Sequence, residues 1–92
     1  MIKSFQHKGL EQFFYDGSKK GIQPKHSRKL ADILDRLHAA KVVEDMDFPG
    51  SNLHPLKGDK KGFWAIWVSG NWRITFSLSQ GDAEEVDYVD YH

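Results

Sequence analysis

From Phe63 to the end of the chain, apolar and polar positions alternate. Trp72, Ile74, Phe76 and Leu78 fall on one side of an extended segment, and Arg73, Thr75 and Ser77 on the other, because side chains two apart share a face of a strand. Two aromatic and β-branched runs, Phe63 to Val68 and Trp72 to Leu78, are each closed by a glycine-containing turn, Ser69-Gly70-Asn71 and Gln80-Gly81-Asp82. Such punctuation predicts three consecutive antiparallel strands over 62–92. On the last of them Val86 and Tyr88 match the apolar face, while Asp87, Val89 and Tyr91 share the opposite one. A three-residue loop, Gln80-Gly81-Asp82, pairing Ser79 with Ala83, keeps both faces in register. That register sets Arg73 opposite Val89 and diagonal to Tyr91, away from the apolar face.

The first half has a helical period instead. Ile2 to Phe5 is a short alternating segment able to add a strand to the sheet. Leu10, Phe13 and Phe14 then recur at helical spacing within Lys8 to Asp16, and Gly17 closes that helix. Ser18 to Gln23 reads as a flexible, exposed connector. Pro24 opens the longest helix at a first-turn position, and Leu30, Ile33, Leu34 and Leu37 lay an apolar stripe along it to about Ala40. His26 and His38 read as ordinary helix residues on its flanks. Periodicity then lapses from Val42 to Asn52, where Glu44 to Asp47 supports at most one helical turn before Phe48-Pro49-Gly50. In Leu53-His54-Pro55-Leu56-Lys57-Gly58, the proline holds His54 extended, with Leu53 and Leu56 as anchors and His54 and Lys57 projecting. Helices first and antiparallel strands afterwards predict an α+β fold, with the helices layered on one face of the sheet.

The 92 residues suffice for a single domain, 1–92, with one modest core, so an active site would be a surface concavity. The sequence has no cysteine, which removes thiol nucleophiles and thiolate metal sites and suits a reducing cytoplasm. The first residues, MIKSFQHKG, lack the apolar run expected of a signal peptide, and no stretch approaches membrane-spanning length. Net charge is zero, yet 1–41 holds nine Lys/Arg against four Asp/Glu, and 42–92 holds four against nine. Local fields of either sign therefore survive the neutral sum. The basic face of the long helix, with Lys25, Arg28, Lys29 and Arg36, leaves an RNA or acidic partner open beside the more ordinary reading as a solvated surface.

The polar groups able to converge on the free face of the sheet are His54, Lys57, Arg73, Asp90, Tyr91 and His92. They contain no Ser-His-Asp or Cys-His nucleophile system, and no glycine-rich loop precedes a helix as phosphate cradles require. A metal site built from His54, Asp90 and His92 is a geometric option, but it would stand at a chain end without a second histidine pair, and no metal or cofactor is expected. Phosphodiester cleavage suits the set better. A 2′-hydroxyl supplies the nucleophile there, and the protein need add only a base, an acid and cations. Histidine can take either proton-transfer role near neutrality, Arg73 can fork onto a phosphate, Lys57 adds a point charge, and Tyr91 could stack on an unpaired base.

At these residues the chain resembles the HigB toxins of the RelE-like superfamily. The resemblance runs through MIKSF, GIQPKH, LHPLKG, KGFWAIWVSGNWRITF and the terminal DAEEVDYVDYH. It implies a small cytoplasmic, ribosome-dependent mRNA endonuclease inhibited by a helix-turn-helix antitoxin of the HigA type. The implied fold is β-α-α-β-β-β, two helices on a mainly antiparallel sheet. His54 and His92 match the family's catalytic histidines, Lys57 and Arg73 its phosphate-binding cations, and Asp90 and Tyr91 the rest of its terminal motif. Contacts to ribosomal RNA through basic residues are implied as well. Ser77 departs from the pattern, since many relatives carry a basic residue at about that place. Two rival readings use the same fold without turnover. One is a ParE-like inhibitor acting on gyrase by protein contact, and the other is an RNA-binding module.

Overall fold

The computed structural model describes residues 1–91. Helix α1 is Lys8–Asp16, and helix α2 is Ser27–Ala39, preceded by a 3₁₀ turn over Pro24–His26. The sheet runs β1 (His54–Pro55), β2 (Trp64–Ser69), β3 (Trp72–Ser79) and β4 (Asp82–Asp90), in that spatial order and antiparallel throughout. The N-terminal segment extends it, but less fully than a strand. Ile2 and Phe5 make isolated parallel bridges to Ala83 and Val86, so the chain start lines the free edge of β4.

Each helix has a local cause. His7 caps α1 by accepting the Leu10 N–H on Nδ1 at 3.0 Å, and Gly17 ends it in the left-handed region at φ 75°, returning its N–H to the Phe13 carbonyl. On α2, Leu30, Ile33, Leu34 and Leu37 are all buried, and they meet Ile66, Val68, Ile74, Phe76 and Val86 from the sheet in one core. Trp72 and Leu78 share the apolar face of β3 but lie at the core's margin, half-buried.

The β3–β4 hairpin departs from simple alternation. Its loop is two residues, Gln80 and Gly81 with φ 55° and 81°, so Ser79 pairs with Asp82 rather than Ala83. Positive φ at both positions marks a type I′ turn, whose twist suits a hairpin. A bulge in β4 near Glu85, at φ 53°, then inserts one residue and restores the expected pairing of Arg73 with Val89.

Two other expectations are corrected. The 18–23 connector is pinned rather than loose: Ile22 is buried, and a methyl group on Gly9 would come within 2.6 Å of the Gly21 backbone, so the two glycines let α1 and the connector touch. Neither of the two helix histidines is a bystander. His38 Nδ1 accepts the Ile2 N–H at 3.2 Å. His26 is only 3 % exposed, and its Nδ1 is hydrogen-bonded to the Tyr88 hydroxyl at 2.6 Å.

Burial first, then the charges of Lys25 and Lys29, hold the His26 pKa below its ordinary 6.5. The unfolded chain therefore binds this proton more readily. The stability tied to a neutral His26 is complete above pH 6.5 and is lost as pH falls toward the depressed folded value. Melting temperature should fall more steeply as pH drops below 6.5 for the native protein than for His26→Gln, which cannot titrate. Parallel pH profiles would show that His26 contributes nothing to acid sensitivity.

Candidate active site

The face of the sheet turned away from the helices is ordered by strand pairing. Residues paired across a ladder share a side, so His54, Ala65, Thr75 and Asp87 form one row across all four strands. Trp67, Arg73 and Val89 form the next row. Ala65 and Thr75 are buried although they belong to this outer face, so small side chains floor it between longer neighbours. His54 and Arg73 are then two strand spacings and one two-residue step apart, roughly 12 Å between Cα atoms. At that separation, side chains leaning toward one another can flank a phosphodiester group.

His54 stands on the edge strand through a bend at Asn52, which takes φ 49°, a left-handed conformation that asparagine tolerates. Just before it, buried Ser51 accepts the Trp67 N–H on its carbonyl at 2.8 Å, tying the bend to β2. The Asn52 carbonyl lies 2.9 Å from His54 Nδ1. A carbonyl only accepts, so the ring hydrogen stands on Nδ1. In the neutral ring Nε2 is left with its lone pair, the state a general base needs.

Arg73 is half-buried and is held by one nitrogen. Its Nη1 donates to the Gly70 carbonyl at 2.8 Å and to the Trp72 carbonyl at 3.0 Å. Gly70 can supply that turn because it sits at φ 55°. The Trp67 indole N–H donates to the same Gly70 carbonyl at 2.9 Å. Nε and Nη2 make no hydrogen bond to a described residue and present the planar fork that matches a phosphate edge.

Tyr91 follows β4 and continues its ladder, its N–H donating to the Asn71 carbonyl at 2.8 Å. By alternation it shares the side of Val89 and Arg73, and it is 44 % exposed, free to meet a base. Lys57 opens a compact loop closed by Leu56 N–H on the Phe63 carbonyl, in which Lys57, Lys60 and Lys61 are all exposed. It lies beyond the β1 ladder, so strand parity does not assign it a face. Asp90 does not join the row. It pairs with Trp72 and so belongs to the helix side of the sheet, at its open end. His92 lies outside the described residues.

The basic face of α2 was expected, but its contact with the Arg73 row was not. Lys29 of α2 places its Nζ 4.2 Å from the centre of the Trp67 ring, joining the basic helix to the Arg73 row. Beside it, Lys25, Arg28, Lys29, Arg36 and Phe48 line an open groove of about 730 Å³, in which Asp32 is committed to Arg36 at 3.1 Å. The pairing of Trp67 with Arg73 was open to inference from hairpin register. The approach of α2 to Trp67 depends on tertiary packing that no local pattern encodes.

The sequence is similar to known proteins over nearly its whole length. The family described as RelE-like toxin of type II toxin-antitoxin system HigB matches residues 3–92. The Endoribonuclease HigB of Proteus vulgaris is 42 % identical over 92 residues, covering the whole of both chains. Toxin HigB-1 of Vibrio cholerae is 32 % identical over 94 residues, covering all of this chain and 98 % of its own. With a family match across nearly the whole sequence and an α+β architecture to carry it, this chain belongs to the HigB family of RelE-like toxins of type II toxin-antitoxin systems.

Proposed function

We propose that the protein is an endoribonuclease that cuts messenger RNA on the ribosome, in the decoding site. The observation that carries this reading is the pairing, on one face, of a histidine held in the base-competent tautomer with an arginine whose fork is held open. In the proposed step, a base takes the 2′-hydroxyl proton as the 2′-oxygen bonds to phosphorus. The bond from phosphorus to the 5′-oxygen breaks, and an acid protonates the leaving oxygen. His54 and His92 share these two proton transfers. Arg73 and Lys57 take up charge developing on the phosphate, Tyr91 stacks on a base, and Asp90 acts from the end of the sheet on its neighbours. The resemblance of His92, Lys57 and the terminal motif to the family pattern supports their inclusion.

The partners follow from charge. Zero net charge and a shallow face offer a long polyanion little binding energy, so the ribosome supplies the positioning. The basic groove along α2 suits the backbone of ribosomal RNA. A helix-turn-helix antitoxin of the HigA type would restrain the toxin, and the cytoplasm is where message and ribosome meet.

Purified protein should give defined message ends by primer extension when translating ribosomes are present, and few on the same message alone. Efficient cutting of free message would refute the ribosome dependence. Uncut message accompanied by inhibition of gyrase would establish the contact-inhibitor reading instead.

A further inference from the structure

Tyr88 stands two residues before the end of β4, and its side chain is tied to several elements. Its ring stacks on Trp72 at 4.4 Å between centroids and 28° between planes. His7 and His26 meet the same ring edge-on at 5.4 Å and 6.0 Å. Its hydroxyl binds His26 Nδ1 at 2.6 Å and accepts the Gln23 N–H at 3.4 Å. The hydroxyl thus joins β4 to the turn before α2, and the ring meets the cap of α1.

Those ties lead to the candidate site. Trp72, on which Tyr88 stacks, is the ladder partner of Asp90, and its carbonyl accepts one of the two Arg73 hydrogen bonds. Asp90 lies close enough for its charge to act on the Tyr88 hydroxyl, which burial already holds above its ordinary value. His26 Nε2 is buried with no partner among the described residues. A nitrogen left so is costly, and a leucine or phenylalanine would fill the same position on the α2 stripe without that cost.

We infer that His26 and Tyr88 are positioning residues for RNA cleavage: their hydrogen bond ties β4 near its end to the turn before α2 and holds the Tyr88 ring on Trp72, and so steadies Tyr91 and Arg73 relative to His54. This rests on the reading that those three residues serve the cleavage. The link is mechanical. Loss of the hydroxyl frees Tyr88 to slide on Trp72, and the strand end moves with it.

Tyr88→Phe keeps the ring and removes only the hydroxyl. Cleavage of ribosome-bound message, measured at a temperature where circular dichroism shows native and variant proteins fully folded, should lose roughly ten- to hundredfold in kcat with KM nearly unchanged. Exchange of the Tyr91 amide hydrogen, bonded to Asn71, should quicken in the same variant. His26→Gln, which can still bond the hydroxyl, should keep more of kcat than His26→Leu. A lowered melting temperature with native kcat and native Tyr91 exchange would overturn the inference, reducing the pair to a stabilising core contact. Arg73→Ala and Tyr91→Ala separate the two levels of the argument. If they are impaired while Tyr88→Phe and His26→Leu are not, this inference alone fails; if they too cleave at the native rate, the underlying reading of the site fails.

Discussion

Replacing His54 with alanine should slow message cleavage by roughly 10²- to 10⁴-fold, the range for losing a general acid or base, while the melting temperature moves little. The stability half follows from how the residue is held. β1 is a two-residue edge strand whose contacts to β2 are backbone pairings and the Ser51 to Trp67 bond, none of which uses the imidazole. The side chain's hydrogen bond to Asn52 is local and exposed, so its loss should cost no more than about 1 kcal/mol. The activity half follows from the tautomer, because Asn52 keeps the hydrogen on Nδ1 and leaves Nε2 for proton transfer. His54→Gln tests that point. It is polar and can hydrogen-bond, but it cannot move a proton near neutrality, so it should fall with the alanine variant. Near-native cleavage by His54→Gln would assign His54 to RNA contact and leave the proton to His92.

Local pattern made much of this arrangement readable. The bounds of α1 and the buried stripe of α2 follow from the spacing of Leu10, Phe13, Leu30, Ile33, Leu34 and Leu37, since burial on a helix obeys its period. The strands and the outward side of Arg73 follow from alternation. The pairing of Arg73 with Val89 survived for a reason alternation cannot detect: a tighter turn at Gln80-Gly81 and a bulge at Glu85 cancel each other. Alternation also placed Asp87, Val89 and Tyr91 together, which already set Asp90 on the other side. His26 was legible in principle, as it stands four residues before Leu30 and falls on the buried stripe, but a polar residue there reads as a flank until Tyr88 is seen to meet it. The touch of Gly9 on Gly21 and of Lys29 on Trp67 comes from elements distant along the chain. No periodic signal announces such contacts.

Arg73 should tolerate neither alanine nor lysine. Removing one preorganised donor to a developing oxyanion typically costs about 10²- to 10³-fold in rate, and both Arg73→Ala and Arg73→Lys are expected within that range. The lysine result carries the argument, because charge is retained. Arginine spends Nη1 on the Gly70 and Trp72 carbonyls and keeps Nε and Nη2 for the phosphate, so one planar group is both clamped and presented. An ammonium has a single nitrogen: if it binds the turn it cannot fork onto phosphate, and if it reaches the phosphate the clamp is lost. Both variants should stay folded, losing on the order of 1 kcal/mol for the missing turn contacts, since the core beneath Arg73 is built by Ile74 and Phe76. The check is the rate ratio of the two variants on ribosome-bound message under fully folded conditions. Recovery of most of the native rate by Arg73→Lys would mean that positive charge alone suffices there, and that the hairpin clamp serves only the fold.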